Sequence, residues 1–250
     1  MNKNILSRIS LGTAQFGLDY GITNNTGQID SDEADLILAE CLAIGINSID
    51  TAIAYGNAEN ALGNSGVGDF DVVTKLPPLP RNIEDVQCWV FESVLASMKR
   101  LNLTKLDGLL LHRSADLVGE YGGMLTTALN ALKERQIVNK VGISIYDPAE
   151  LDALGDLVFT LDMVQAPYNA FDQSLEITGW LLKLNTSKIE VQARSIFLQG
   201  ILLVSSIDRS DYFSNWGYHF DLWDSWLKDS NQTAMEACIN AISSNQAIDK

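Results

Sequence analysis

Phe70-Asp71-Val72-Val73-Thr74-Lys75, a helix-like run from Ile83 to Leu101, and Leu106-Asp107-Gly108-Leu109-Leu110-Leu111-His112 form the stretch that decides the fold. Both short runs are apolar, as strands buried on both faces must be. Pro77 and Pro78 stop the first. Between them Val86, Val90, Val94 and Met98 recur at near-helical spacing. Strand, helix, strand implies a parallel pair joined by a helical crossover.

The same rhythm extends both ways. Upstream, Ile9 to Thr13 reads as a first strand, followed by a Gly-rich loop from Gln15 to Gly27. Ser31 is the expected N-cap of a helix reaching Ile44, with an apolar face of Leu36, Ile37, Ala39, Leu42 and Ala43. Gly45 closes that helix. A second strand ends at Asp50, and a short helix spans Ala58 to about Gly63.

Downstream, a helix is expected from Gly119 to Arg135, a strand over Lys140 to Ile145, and a helix opening at Pro148. Then follow a strand over Met163 to Ala166, one helix over Ser174 to Leu184, and a strand over Ile189 to Arg194. An aromatic segment, Tyr212 to Trp226, precedes a last helix over Thr233 to Ser243. Trp223 and Trp226 are read there as packing residues, and the earlier aromatics as packing or as a lid.

Strand–helix pairs without a linker fit a single α/β domain over residues 1–250. The expected fold is a (β/α)8 TIM-type barrel with about seven units present. A doubly wound sheet is the competitor, but Gly12, Gly17 and Gly21 do not form its G-x-G-x-x-G turn. Seven strands leave two open sheet edges, so the barrel is expected to be incomplete at its C-terminal side.

Composition narrows the function classes. The net charge of −15 offers no basic stripe for nucleic acid. No stretch approaches the roughly 20 apolar residues of a membrane span. Met1 to Ser10 lacks a basic region followed by a long apolar run, so no leader is read there. Cys41, Cys88 and Cys238 are widely spaced and form no C-x-x-C pair. They read as reduced, mostly buried thiols of a cytoplasmic protein. With His112 and His219 as the two histidines, no metal site is expected. The expected partner is a small molecule, and the oligomeric state is not encoded legibly.

Successive strand ends carry ionisable groups: Asp50, Lys75 and His112, with Tyr55 just beyond the first. In a barrel these ends converge on one mouth. Singly, each fits a structural role: a turn-capping Asp50, a packed Tyr55, a solvated Lys75, a core His112. Together they can deliver a proton to a carbonyl oxygen.

Residues Asp50-Thr51-Ala52-Ile53-Ala54-Tyr55-Gly56-Asn57-Ala58-Glu59-Asn60-Ala61-Leu62-Gly63 resemble the signature of the aldo-keto reductase family. Thr74-Lys75, Leu111-His112, Val141-Gly142-Ile143-Ser144, Gln165 with Tyr168-Asn169, and Arg194 to Gly200 follow in the family's order. The flavour is that of bacterial members associated with surface-sugar metabolism.

The resemblance implies a reductase that passes hydride from NADPH, or NADH, to an aldehyde or ketone. Tyr55 would be the general acid, with Lys75 lowering its pKa. Asp50 would orient Lys75, and His112 would hold the carbonyl oxygen. Ser144 and Gln165 would hold the nicotinamide carboxamide; Ile145 stands where an Asn often follows the serine. Arg194 stands where the family commonly stacks an aromatic on nicotinamide. Ser195, Phe197 and Gln199 fall in the pyrophosphate loop, and Gly12 and Thr13 at a backbone-rich cofactor contact. Two alternatives remain open at this level. One is a catalytically impaired barrel serving as a nucleotide-binding or regulatory subunit. The other is a Schiff-base aldolase using a neutral Lys75.

Overall fold

The computed structural model describes residues 3–250; Met1 and Asn2, the start of the segment read for a leader, lie outside them. A short helix α1 (Lys3–Leu6) leads into β1 (Ser10–Gly12), α2 (Ser31–Ile44), β2 (Ser48–Asp50), α3 (Ala58–Ser65) and β3 (Asp71–Leu76). Then come α4 (Val86–Leu101), β4 (Leu106–Leu111), α5 (Gly122–Glu134), β5 (Val138–Ser144), α6 (Ala149–Leu154) and β6 (Met163–Pro167). The chain continues through α7 (Ser174–Ile177), α8 (Trp180–Thr186), β7 (Glu190–Arg194), α9 (Gly217–Ser230) and α10 (Ala234–Ser243).

The seven strands form one parallel sheet in sequential order, β1 to β7. Sequential parallel order with helices between strands is the winding of a TIM-type barrel wall. The sheet curls until β2 and β6 meet across its interior, where Gln165 Nε2 donates to Asp50 Oδ1 at 2.7 Å.

Strand pleating sorts the side chains, because residues two apart share a face. Outward residues such as Val72, Leu76, Leu109, Leu111, Val141, Ile143, Val164 and Val191 join the main core under the helices. Inward, Val73, Leu110 and Met163 make a small apolar layer. Two residues further along those strands lie Lys75, His112 and Gln165, on the same inner face and one layer nearer the mouth. The polar site therefore rests on an apolar floor. Gly142 makes room for that floor: a Cβ there would stand 2.0 Å from the Met163 carbonyl oxygen.

The open edges are tied at both ends. Near the mouth, the Ile22 N–H donates to the Gln199 carbonyl at 3.1 Å. At the opposite end, Lys250 lies alongside β7. Its N–H donates to Val191 O at 3.3 Å, and the Ala193 N–H donates to Lys250 O at 2.8 Å. That is the pattern of a parallel rung opposite Gln192. Arg8 Nη1 donates to Ser243 O at 2.8 Å and Lys250 Nζ to Ser7 O at 2.8 Å, joining this end to the segment before β1.

Several local expectations change. The N-cap of α2 is Asp30, whose side chain accepts from the Glu33 N–H; Ser31 is already the first helical residue. Both are capping types, and backbone geometry decided between them. The single helix over 174–184 is two, α7 and α8, separated by Gly179 at φ 80°. The expected helix start at Gly119 moves to Gly122, because Ser114–Leu117 forms a 3-10 turn first. Cys88 is exposed while Cys41 and Cys238 are buried, and all three are free thiols.

Candidate active site

The mouth is assembled from strand ends. Lys75, at the end of β3, has relative exposure of 0%. Its Nζ donates to Asp50 Oδ1 at 2.7 Å, Asp50 Oδ2 at 2.8 Å and the Thr51 carbonyl at 2.9 Å. Three acceptors require three N–H donors, so the geometry is that of an ammonium. Burial pulls the Lys75 pKa below the ordinary lysine value, and the Asp50 carboxylate opposes that pull. This arrangement disfavours the neutral amine of a Schiff-base aldolase.

The Tyr55 ring lies 5.2 Å from Lys75 Nζ. The His112 ring stands edge-on to it, with centroids 6.0 Å apart. The structure thus brings Asp50, Tyr55, Lys75 and His112 to one place. Among the described residues, nothing hydrogen-bonds the Tyr55 hydroxyl or the His112 ring nitrogens. His112 is held below the ordinary imidazole range by burial first, then by the charges of Lys75 and Arg194. Both causes favour its neutral form.

One electrical expectation is corrected. Tyr55 is not acidified; its pKa is raised well above the ordinary phenol value. Burial is the main cause, with Asp50 next, and Arg194 acts in the opposite direction.

The opposite wall carries the residues assigned to a dinucleotide. Ser144 Oγ bonds Gln165 Oε1 at 3.2 Å, while the Gln165 amide nitrogen is committed to Asp50 and, at 3.4 Å, to Gln192. Arg194 Nη2 donates to Ile145 O at 2.7 Å and Nη1 to Ser195 Oγ at 3.1 Å. Its guanidinium lies 4.4 Å from the Tyr146 ring centroid.

Ser195, Leu198 and Gln199 all have positive φ, at 58°, 49° and 55°. Such a cluster of left-handed non-glycine residues is costly and typical of ligand clamps. Phe197 turns away from the mouth, against the second core around Ile201, Leu202, Phe220 and Trp223. Gln199 faces solvent and offers its carbonyl to Ile22. Gly12 borders open space, and Thr13 is a structural contact, its hydroxyl donating to Asp50 O at 2.9 Å.

Sequence reading missed three participants. Tyr20 and Tyr146, from the loops after β1 and β5, both act on Tyr55. Glu150 clamps the β5 loop, accepting from the Tyr146 and Asp147 N–H groups at 2.7 and 3.1 Å and from the Ser114 hydroxyl. For the two tyrosines the only signal was their place in loops that follow strands; Glu150 sits in the first turn of α6.

A parallel barrel with its polar side chains at the C-terminal mouth has the layout of a TIM-type barrel site. Within that class the assignment is specific: the chain belongs to the aldo/keto reductase family, whose model matches residues 8–238. An aldo-keto reductase of Mycolicibacterium vanbaalenii is 32% identical over 142 residues, covering 53% of this chain and 48% of its own length. One of Mycobacterium tuberculosis is 31% identical over 146 residues, covering 55% and 49%. The chain spans about half the length of the curated relatives it matches.

Solved structures agree on architecture. A glycerol dehydrogenase of Gluconobacter oxydans aligns with TM-score 0.71 and 21% identity, over 97% of this chain and 80% of its own. An aldo-keto reductase of Bacillus halodurans, in its holo form, aligns with TM-score 0.64 and 21% identity, over 79% and 65%. At these identities the likeness establishes the fold. Among the described residues, no helix is long and apolar enough to cross a membrane.

Proposed function

We propose that residues 1–250 act as one barrel unit that reduces an aldehyde or ketone to an alcohol, using NADPH or NADH, with Tyr55 as general acid. What supports the reading above all is the buried Lys75–Asp50 pair with Tyr55 and His112 beside it. The dinucleotide fits the opposite wall. Arg194 Nε is buried without a partner, the 195–200 loop is a strained cradle, and Gln165 Oε1 and Ser144 Oγ can accept from a carboxamide. Ser144, Gln165, Arg194, Ser195, Gln199, Gly12 and Thr13 would hold the cofactor, with Phe197 bracing their loop from behind. When bound, the nicotinamide supplies the hydride.

The chain supplies the rest. The His112 ring and the Tyr55 hydroxyl lack partners among the described residues and stand beside each other, edge-on at 6.0 Å, so both are available to hydrogen-bond a substrate carbonyl oxygen. Tyr55 stays protonated across neutral pH, the state an acid needs. As charge develops on the oxygen, Tyr55 Oη gives up its proton. Lys75 and Asp50 keep the layer above the apolar floor rigid and polar. A cytoplasmic setting with a small carbonyl substrate is part of this reading, consistent with three free thiols.

The test is the loss of NADPH or NADH absorbance with a panel of aldehydes and ketones. Wild type should turn over, and Tyr55→Phe should fall by roughly 10²–10⁴. Cofactor binding, seen as quenched tryptophan fluorescence, without any turnover would favour the binding-subunit alternative. An unimpaired Tyr55→Phe would overturn the role of Tyr55.

A further inference from the structure

We propose that Asn169 is the positioning residue of the β7 loop: it holds Ser195 in its left-handed backbone and so keeps the loop from 195 to 200 formed before a ligand arrives. The inference rests on the reading of that loop as the dinucleotide cradle and assigns a role to a residue outside the cradle itself.

Asn169 stands where the sheet ladder ends. β6 pairs with β7 as far as Pro167 opposite Arg194, and the Tyr168 N–H adds one more bond, to the Arg194 carbonyl at 3.2 Å. At the next position the backbone turns away, and the Asn169 N–H donates to Asp172 O at 2.9 Å. The side chain supplies the missing rung instead: Asn169 Nδ2 donates to Ser195 O at 3.1 Å. The amide cannot be reversed. Its Oδ1 accepts from the Phe171 and Asp172 N–H groups at 2.8 and 2.9 Å, and an amide nitrogen could accept neither. Asn169 is 1% exposed, so water does not compete for these bonds.

The bond falls on the residue that needs it. Ser195 has φ 58°, a conformation that a non-glycine residue keeps only where its surroundings impose it. Its carbonyl also accepts from the Leu198 N–H at 2.9 Å. Two donors use both lone pairs of that carbonyl and fix the peptide plane between Ser195 and Ile196. One donor lies within the loop; Asn169 is the one that ties it to the end of β6. With Arg194 Nη1 on the Ser195 hydroxyl at 3.1 Å, Ser195 is held at side chain and carbonyl alike. Without Asn169, Ser195 can relax towards ordinary backbone. A ligand then selects the fraction of molecules with the loop formed, and its affinity falls by that fraction.

The test separates the bond from the turn. Asn169→Ser keeps a hydroxyl that can still serve the turn but cannot reach Ser195. Quenching of tryptophan fluorescence by NADPH, repeated with NADH, should show affinity reduced roughly tenfold. Glycine takes positive φ unaided, so in a Ser195→Gly background the same Asn169→Ser change should weaken binding by about twofold or less. In the ligand-free protein, the Leu198 amide hydrogen should exchange roughly tenfold faster in Asn169→Ser than in wild type. Should Asn169→Ser loosen the fold, Asn169→Asp keeps the size and both turn acceptors, lacks the donor, and should give the same losses. Equal losses with and without Ser195→Gly would overturn the inference, because Asn169 would then act on something other than the Ser195 backbone. Unchanged affinity and exchange in both Asn169 variants would overturn it too. A wild type that binds neither nucleotide would defeat the dinucleotide reading alone, and the Leu198 exchange would still decide whether Asn169 holds the loop.

Discussion

The two walls of the barrel mouth are built on opposite principles. On the β2–β4 wall, the charges are paired, the Lys75 donors are all engaged and the backbone is regular: Lys75 and Asp50 form an ion pair on short strands. On the β7 wall, Arg194 has no carboxylate partner and the next loop holds three left-handed non-glycine residues. The first wall is a finished structure without any ligand. The second retains strain and an uncompensated charge, which a bound dinucleotide would relieve. Under the proposed function, proton chemistry would fall to rigid strand ends and ligand capture to a strained loop, a division common in barrels whose loops carry binding.

Mutations on the two walls should differ in sign. Lys75→Met strands a buried carboxylate, and breaking a buried pair this way costs about 3–5 kcal/mol. Urea unfolding should show it as a large drop in midpoint; a loss near zero would mean the pair does not anchor the wall. On the other wall, Gln199→Gly removes one strained residue whose side chain faces solvent. It should stabilise the fold by about 1 kcal/mol while weakening dinucleotide binding, read by fluorescence titration. Destabilisation instead would show that the loop stores no strain.

The smallest effect is the dependence on pH. His112 has a depressed folded pKa, so its contribution to stability is present above about 6.5 and lost as pH falls. Tyr55 has a raised one, so its contribution is present below about 10 and lost as pH rises. Cys41, Cys238 and Tyr168, raised chiefly by burial, add to the alkaline loss. Stability should plateau between the two limbs, with Tyr55→Phe flattening part of the alkaline one. A profile unchanged by Tyr55→Phe would show that the ring is not buried in its neutral form.

Much of the paired wall was legible in the sequence. Apolar strands ending in Lys75 and His112 break the usual pattern of turn formers, and parallel winding forces their ends together. The strand over Leu106–Leu111 matches its expected limits because apolar continuity stops sharply at His112. The strained wall was legible only as residue types. Positive φ at Ser195, Leu198 and Gln199 leaves no trace in side chains that tolerate it poorly. Nor could the sequence show that Tyr55 is shielded from water beside Asp50, which raises its pKa rather than lowering it. Asp30 against Ser31, and the break at Gly179, turned on backbone angles rather than composition.

The most direct test of the central claim follows the hydrogen itself. With a nicotinamide deuterated at the transferring carbon and an aldehyde substrate, the product alcohol should carry the label on its former carbonyl carbon, and Tyr55→Phe should form little of it. Label that stays on the cofactor, or a carbonyl left unreduced by wild type, would contradict the account.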